Sequence, residues 1–196
     1  MAPRSTVDPF ARFDRWFRTA ERAGIQLPEA AALATADRGG CPSVRFVLVK
    51  HSDPSGFVFY TNARSRKGRQ LHANPHASLA FYWDPTGKQV CVSGRVEPVS
   101  REETDAYWAS RPRASRLAGL ASSQSATLAS RARLMAHFGA LRLRLRGKEV
   151  PRPPEWKGFR ILPDQIEFWT RRAHRLHERE LFTRTAQGWR RCLLQP

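Results

Sequence analysis

The residues most able to do chemistry sit close together near the C-terminal end. His174-Arg175-Leu176-His177-Glu178-Arg179 puts two imidazoles and two guanidiniums into six residues, shortly after Gln165-Ile166-Glu167-Phe168-Trp169. Read as a strand, the segment alternates and sends Arg175, His177 and Arg179 to one face. Three such groups on one face repel each other. A fold tolerates them where the face meets something anionic and electron-accepting, such as a phosphorylated cofactor or substrate. A solvated basic edge strand would tolerate them equally well, and this segment alone does not separate the two.

Further anion-competent sets lie upstream. Arg45-Phe46-Val47-Leu48-Val49-Lys50 reads as a strand with a basic residue at each end, Arg45 with Val47 and Val49 on one face and Lys50 with Phe46 and Leu48 on the other. Lys50 is therefore aimed at a separate anion or at water. Tyr60-Thr61-Asn62-Ala63-Arg64-Ser65-Arg66-Lys67 runs from a strand end through hydroxyls to a basic pair at the opening of a helix. Cations oppose the dipole there, so helix amides with Arg66 and Lys67 suit a bound phosphate, although a solvated helix start is the commoner reason for such a run. Tyr107, Arg111 and Ser115 recur at four-residue spacing and would form a second phosphate grip if one helix carried them, which Pro112 makes doubtful. Gln124-Ser125 reads either as part of such a grip or as a helix cap. No nucleophile elbow, dinucleotide fingerprint, P-loop or zincin motif is present, and the histidines at 51, 72, 76 and 137 lack metal-ligand spacing, so chemistry has to come from a bound cofactor.

These sets need elements to position them. Asp8-Pro9 opens a helix whose Phe10, Phe13, Trp16, Phe17 and Ala20 form one apolar stripe. Strands are expected at Ala31–Ala36, Ser43–His51, Phe57–Asn62, Ala77–Trp83 and Gln89–Val99, divided by Asp37-Arg38-Gly39-Gly40, Asp53-Pro54-Ser55-Gly56 and Asp84-Pro85-Thr86-Gly87. A short helix follows Ser65 and ends at Asn74-Pro75, and a capping box at Ser100-Arg101-Glu102-Glu103 opens another that Arg111-Pro112 ends. A further helix is expected over Ala126–Leu145, then strands at Gly158–Ile161, Ile166–Thr170 and a hairpin from Leu176 to Leu194 turning at Gln187-Gly188. Tight turns between strands imply antiparallel pairing, so the expected class is α+β: a small, mainly antiparallel barrel with helices packed around it.

The 196 residues, 41% of them hydrophobic, suffice for one domain with a real core, taken as residues 1–196 with 1–8 as a flexible arm. The net charge of +17, from 34 basic and 17 acidic residues, admits a polyanion binder or an enzyme of anionic small molecules. Arginine is spread along the chain without a basic block, RNP motif or zinc-finger spacing, which favours the enzyme and argues against nucleic acid as partner. Cys41, Cys91 and Cys192 are odd in number and far apart, which suggests neither disulfides nor a metal site and fits a reducing compartment. No signal-type or membrane-span run is present, so a cytoplasmic protein is expected.

In order along nearly the whole chain, Arg45-Phe-Val-Leu-Val-Lys50, Phe59-Tyr-Thr-Asn62, Ser65-Arg-Lys67, Tyr107 with Ser110-Arg-Pro-Arg113, Gln124-Ser125, Gln165-Ile-Glu-Phe-Trp169 and His174-Arg-Leu-His177 resemble the pyridoxine/pyridoxamine 5′-phosphate oxidase family. The resemblance implies a split β-barrel homodimer with FMN at the subunit interface. It implies FMN held by Arg45, Phe46, Val47, Leu48, Val49, Lys50, Tyr60, Thr61, Arg66, Lys67, Gln89, Gln124, Ser125, Trp169 and Arg179. By the same carry-over Lys50, Tyr107, Arg111 and Ser115 hold a substrate phosphate, while Arg175 and His177 sit over the pyridine ring as the catalytic pair. The implied reaction is FMN-dependent oxidation of pyridoxamine or pyridoxine 5′-phosphate to pyridoxal 5′-phosphate, the vitamin B6 cofactor, with oxygen as acceptor. A related class of FMN oxidases in phenazine-type secondary metabolism is the alternative. The chain departs from the family pattern in the short stretch before its first helix, in Arg171-Arg172 where small and acidic residues are usual, and in Glu178 where Asp is common.

Overall fold

The computed structural model describes residues 8–196. The arm expected at residues 1–8 lies outside the described residues except for Asp8, which caps the first helix. Helix α1 (Pro9–Arg22) starts where the Asp8 carboxylate accepts from the Phe10 N–H at 3.0 Å and the Ala11 N–H at 3.3 Å, with proline in the first turn. Its buried stripe brings Phe13 edge-on to Phe57 and Phe81, with ring centroids 5.0 and 5.1 Å apart.

Eight antiparallel strands follow: β1 (Ala30–Ala36), β2 (Pro42–Asp53), β3 (Gly56–Asn62), β4 (His76–Trp83), β5 (Lys88–Pro98), β6 (Trp156–Thr170), β7 (Glu178–Thr185) and β8 (Gly188–Leu194). They are ordered β3-β2-β1-β4-β5-β6, and a further pairing of β3 with β6 closes six of them into a barrel. Closure leaves those six without a free edge. The remaining pair, β7 and β8, continues from the second half of β6. The core is apolar and aromatic, with Leu33, Phe57, Phe59, Phe81, Trp83, Ile161, Ile166, Phe168 and Phe182 all but inaccessible. Among the described residues no helix is long and apolar enough to cross a membrane.

Most expected elements stand within a residue or two of their expected bounds, and three differ. The strands read at Gly158–Ile161 and Ile166–Thr170 are one strand, because the extra residue of a bulge opposite Ser93/Gly94 absorbs Pro163-Asp164 without ending the ladder. The helix expected at Ala126 begins at Arg131: α5 (Arg131–Arg144) is capped by Ser130, whose hydroxyl accepts from the Arg133 N–H at 3.1 Å. Before it, α3 (Arg101–Ser110) ends at Arg111-Pro112 as expected, with Arg111 held extended at φ −69°, ψ 145°, but a separate helix that was not expected, α4 (Arg113–Ala121), starts directly after Pro112. Tyr107, Arg111 and Ser115 therefore do not share one helix face. These helices enclose a second small core of Trp108, Leu117, Leu141, Val150 and Trp156 beside the barrel.

Candidate active site

Helix α2 (Arg66–Ala73) begins at the end of β3, and Ser65 caps it by accepting from the Gly68 N–H at 3.3 Å. The helix sits so close to the preceding turn that a Cβ on Gly68 would lie 2.3 Å from the Ala63 carbonyl oxygen, so only glycine fits. This seating pushes Lys67 inward to 7% exposure. Its Nζ donates to Thr61 Oγ1 at 3.0 Å and Gln124 Oε1 at 3.1 Å, with Ser65 Oγ at 3.4 Å. Burial first, then the charge of Arg45, holds the Lys67 pKa down at about 8. Burial and the neighbouring Arg66 likewise lower Arg45 from its ordinary value. The Ser125 hydroxyl accepts from the Arg66 backbone N–H at 3.1 Å. Among the described residues no carboxylate forms an ion pair with Arg45, Arg66, Lys67 or Arg111.

Beside this group lies a cavity of about 260 Å³ lined by Phe46, Val47, Leu48, Lys50, Tyr60, Thr61, Lys67, Tyr107, Arg111, Gln124 and Trp156. Tyr60 stacks on Tyr107 at 4.0 Å and on Trp156 at 5.2 Å between centroids. Gly158 makes room for that ring, since a Cβ there would come within 2.7 Å of Tyr60 Cε1. The Tyr60 hydroxyl and Arg111 Nη1 are buried and without partners. Burial, with smaller contributions from Glu103 and Tyr107, pushes the Tyr60 pKa up to about 12, so this hydroxyl stays a neutral donor. The Arg111 guanidinium lies over Trp108 and Trp156 at 5.1 and 5.0 Å.

Lys50 reaches the cavity rim as the extra residue of a bulge between Val49 and His51. It is not free, because Nζ pairs with Glu29 Oε1 at 3.0 Å. Alternation along β2 is as expected: Val47 and Val49 are buried, Phe46 and Leu48 exposed, and Arg45 faces inward. There Arg45 donates to Thr35 Oγ1 at 2.6 Å and to Ser43 Oγ at 2.5 Å, and more weakly to Gln70 Oε1 at 3.4 Å. Ser115 lies on α4 and does not line the cavity.

The second group stands elsewhere. Gln89 on β5 is in register with Trp169 on β6, which is in register with Arg179 on β7. Trp156 lines the cavity from one end of β6 and Trp169 stands near the other, up to roughly 40 Å apart along the strand. One protomer therefore does not bring Gln89, Trp169, Arg175, His177 and Arg179 to the Lys67 cavity. The expected strand through Arg175, His177 and Arg179 is also corrected. Pairing of β6 with β7 begins only at Thr170 opposite Glu178, so residues 171–177 form the connecting turn, with a 3-10 segment at Ala173–Arg175. Of the three groups only Arg179 has its charge compensated, by a two-point pair with Glu167 at 2.7 and 3.0 Å.

Glu29, Gln70, Trp156 and Glu167 escaped the sequence reading. Gln70 alone left a usable signal, one helical turn after Arg66 on the same short helix. The partnerships of the others depend on strand register and barrel closure.

Fold and site together define a closed antiparallel barrel with a cationic cradle at a helix start, unpaired by any carboxylate of the described residues, beside an aromatic cavity. The chain belongs to the pyridoxamine 5′-phosphate oxidase family: the family description "Pyridoxamine 5′-phosphate oxidase" matches residues 17–170, and "Pyridoxine 5′-phosphate oxidase C-terminal dimerisation region" matches residues 156–196. A pyridoxine/pyridoxamine 5′-phosphate oxidase of Sphingopyxis alaskensis is 50% identical over 100% of this chain and 91% of its own length. One from Rubrobacter xylanophilus is also 50% identical, over 96% of this chain and 87% of its own. Among solved structures, PhzG from Burkholderia lata 383 in complex with tetrahydrophenazine-1-carboxylic acid superposes with a TM-score of 0.92 at 37% identity, covering 96% of this chain and 93% of that one. A pyridoxamine 5′-phosphate oxidase-related, FMN-binding protein of Nostoc punctiforme, TM-score 0.78 at 18% identity over 97% and 99% of the two chains, shares the fold.

Proposed function

We propose that the protein is an FMN-dependent pyridoxine/pyridoxamine 5′-phosphate oxidase. It converts pyridoxamine 5′-phosphate, water and oxygen to pyridoxal 5′-phosphate, ammonia and hydrogen peroxide, or pyridoxine 5′-phosphate and oxygen to the same aldehyde and peroxide. The observation that carries the reading is Lys67, a buried ammonium next to Arg45 and Arg66 with only neutral oxygens as partners. A phosphate monoester is dianionic near neutral pH and supplies the charge this cluster lacks.

In this assignment Arg45, Arg66, Lys67, Thr61, Gln124 and Ser125 hold the FMN phosphate, and the backbone of Val47 and Leu48 flanks the cofactor. FMN, when bound, is the acceptor of two electrons and passes them to oxygen. Tyr107, Arg111 and Lys50 take the substrate phosphate, the first two from the aromatic wall of the cavity, with Ser115 behind them on the next helix. Burial among Tyr60, Tyr107 and Trp156 keeps water from that wall and strengthens each charged hydrogen bond. Arg175 and His177 hold the substrate ring, so the protein contributes orientation more than acid-base strength.

The protein acts as a homodimer in which a second copy supplies Gln89, Trp169, Arg175, His177 and Arg179 to the cavity. Two observations support this: the match to a dimerisation region at residues 156–196 and the separation of the two groups within one protomer. A cytoplasmic location belongs to the same reading and is supported by the three free cysteines. The likeness to PhzG favours a second reading, an oxidase of a carboxylated aromatic metabolite. Anaerobic addition of pyridoxamine 5′-phosphate to FMN-loaded protein tests both. Bleaching of the flavin absorbance, with colour and pyridoxal 5′-phosphate appearing on admission of air, is the expected result; persistent yellow would transfer the proposal to the second substrate class.

A further inference from the structure

We propose that Arg171 and Arg172 are positioning residues for the reaction, fixing the aim and tautomer of His177 and the presentation of Arg175 from the turn between β6 and β7. The inference rests on the assignment of Arg175 and His177 to the substrate ring. That turn is conformationally unfavourable by itself, because His174 and Arg175 stand in succession at φ 56° and 62°, in the left-handed region that side chains disfavour. All of residues 171–176 are exposed, so no packing holds them there.

Polar ties hold the turn instead. At its start, the Arg171 backbone N–H donates to the Gly87 carbonyl at 2.8 Å. The Arg171 guanidinium donates to the Tyr82 hydroxyl at 2.6 Å and pairs with Asp84, which fastens the end of β6 to the β4–β5 connection. Across the turn, the Arg172 guanidinium pairs with Glu178 Oε2 at 2.9 Å, joining the residue that enters the turn to the first residue of β7. His177 stands between these two anchors. Its Nδ1 accepts from the Arg172 backbone N–H at 3.2 Å, which leaves the ring proton on Nε2. The ring also leans on Trp169, with centroids 4.6 Å apart. His177 is thus locked as an Nε2–H donor, while Arg175 has no hydrogen-bond or ion-pair partner among the described residues and is left to a ligand.

The test compares Arg172→Ala, Glu178→Gln and the charge exchange Arg172→Glu/Glu178→Arg in FMN-loaded protein. Four readouts are taken: kcat/KM for pyridoxamine 5′-phosphate, FMN affinity, melting midpoint, and the His177 tautomer by nitrogen-15 NMR. Each single variant is expected to lose about twofold to fivefold in kcat/KM, the scale of one exposed ion pair, and to gain Nδ1–H tautomer. FMN affinity and melting midpoint should not move, and the exchange should restore both altered readouts. Arg171→Ala should shift them in the same direction. Single variants with unchanged kcat/KM and tautomer would overturn the inference, as would an exchange that fails to recover. His177→Ala separates the two layers: if it alone kept full activity, the assignment of the ring site would fall, whereas a large loss there beside silent Arg172 variants would sink only the bracing role.

Discussion

Lys67 shows how a single side chain sets the conditions under which the site works. Its folded pKa of about 8 lies below the ordinary lysine value of 10.5, so between those two pH values the unfolded chain binds the proton that the folded chain has lost. The flavin-free protein should therefore gain stability as pH rises through that window, because below it the fold carries the full cost of a buried charge. In the proposed assignment flavin affinity should run the opposite way, falling as pH climbs above about 8, because the FMN phosphate would lose the charged ammonium of Lys67. Chemical denaturation of flavin-free protein and fluorescence titration with FMN, each from pH 6 to 10, read the two slopes, and parallel slopes would contradict this account. Replacing the ammonium altogether, Lys67→Met, should weaken FMN about tenfold to a hundredfold, the scale of one charge-assisted hydrogen bond, measured by the same titration. The chemical type of Lys67 was legible in the sequence because a basic pair at a helix start stands out against the dipole. Its burial and its partner Gln124 were not, since they depend on a helix-bounded loop 57 residues away.

At the level of elements, α2 and the bulges position the proposed site residues. Gly68 lets α2 approach Ala63 closely enough to turn Lys67 inward. Gly68→Ala should therefore cost about 1–3 kcal/mol of stability and weaken FMN at the same time, checked by urea denaturation and flavin titration on one preparation. Stability loss with unchanged flavin affinity would mean that the helix seating does not set the lysine. The bulge at Lys50 and the one at Pro163-Asp164 both add a residue to a strand that continues beyond it. Alternation cannot reveal a bulge in advance, because period-2 patterning is lost at the inserted residue. For that reason β6 read as two strands and the facing of Lys50 was legible only to its end of the strand. The break between α3 and α4 had a visible cause in Pro112, but the restart one residue later did not.

Taken whole, the molecule is a barrel whose two sets of proposed ligand-binding residues stand near opposite ends of β6, so the proposed site is complete only between two copies. Dilution should release flavin and dissociate the dimer together, followed by flavin fluorescence and sedimentation on the same samples; monomers that retain bound flavin would contradict shared sites. The outer face of β2 offers Val44 and Phe46 at 68% and 76% exposure, large apolar residues of the kind a partner copy covers. The sequence by itself determined the alternation of strands and turns, the helix starts at Asp8, Ser65 and Ser100, and which residues could grip an anion, because propensity, capping and period are local properties of the chain. Tertiary structure decided which of those residues meet. Barrel closure through β3 and β6 placed Trp156 against Tyr60, and register put Glu167 beside Arg179 and Glu29 beside Lys50. Trp156 and Tyr60 lie far apart in the chain, while the two ion pairs join residues of adjoining strands and turns, and in all three the proximity follows from strand order, register and bulges that no local pattern encodes.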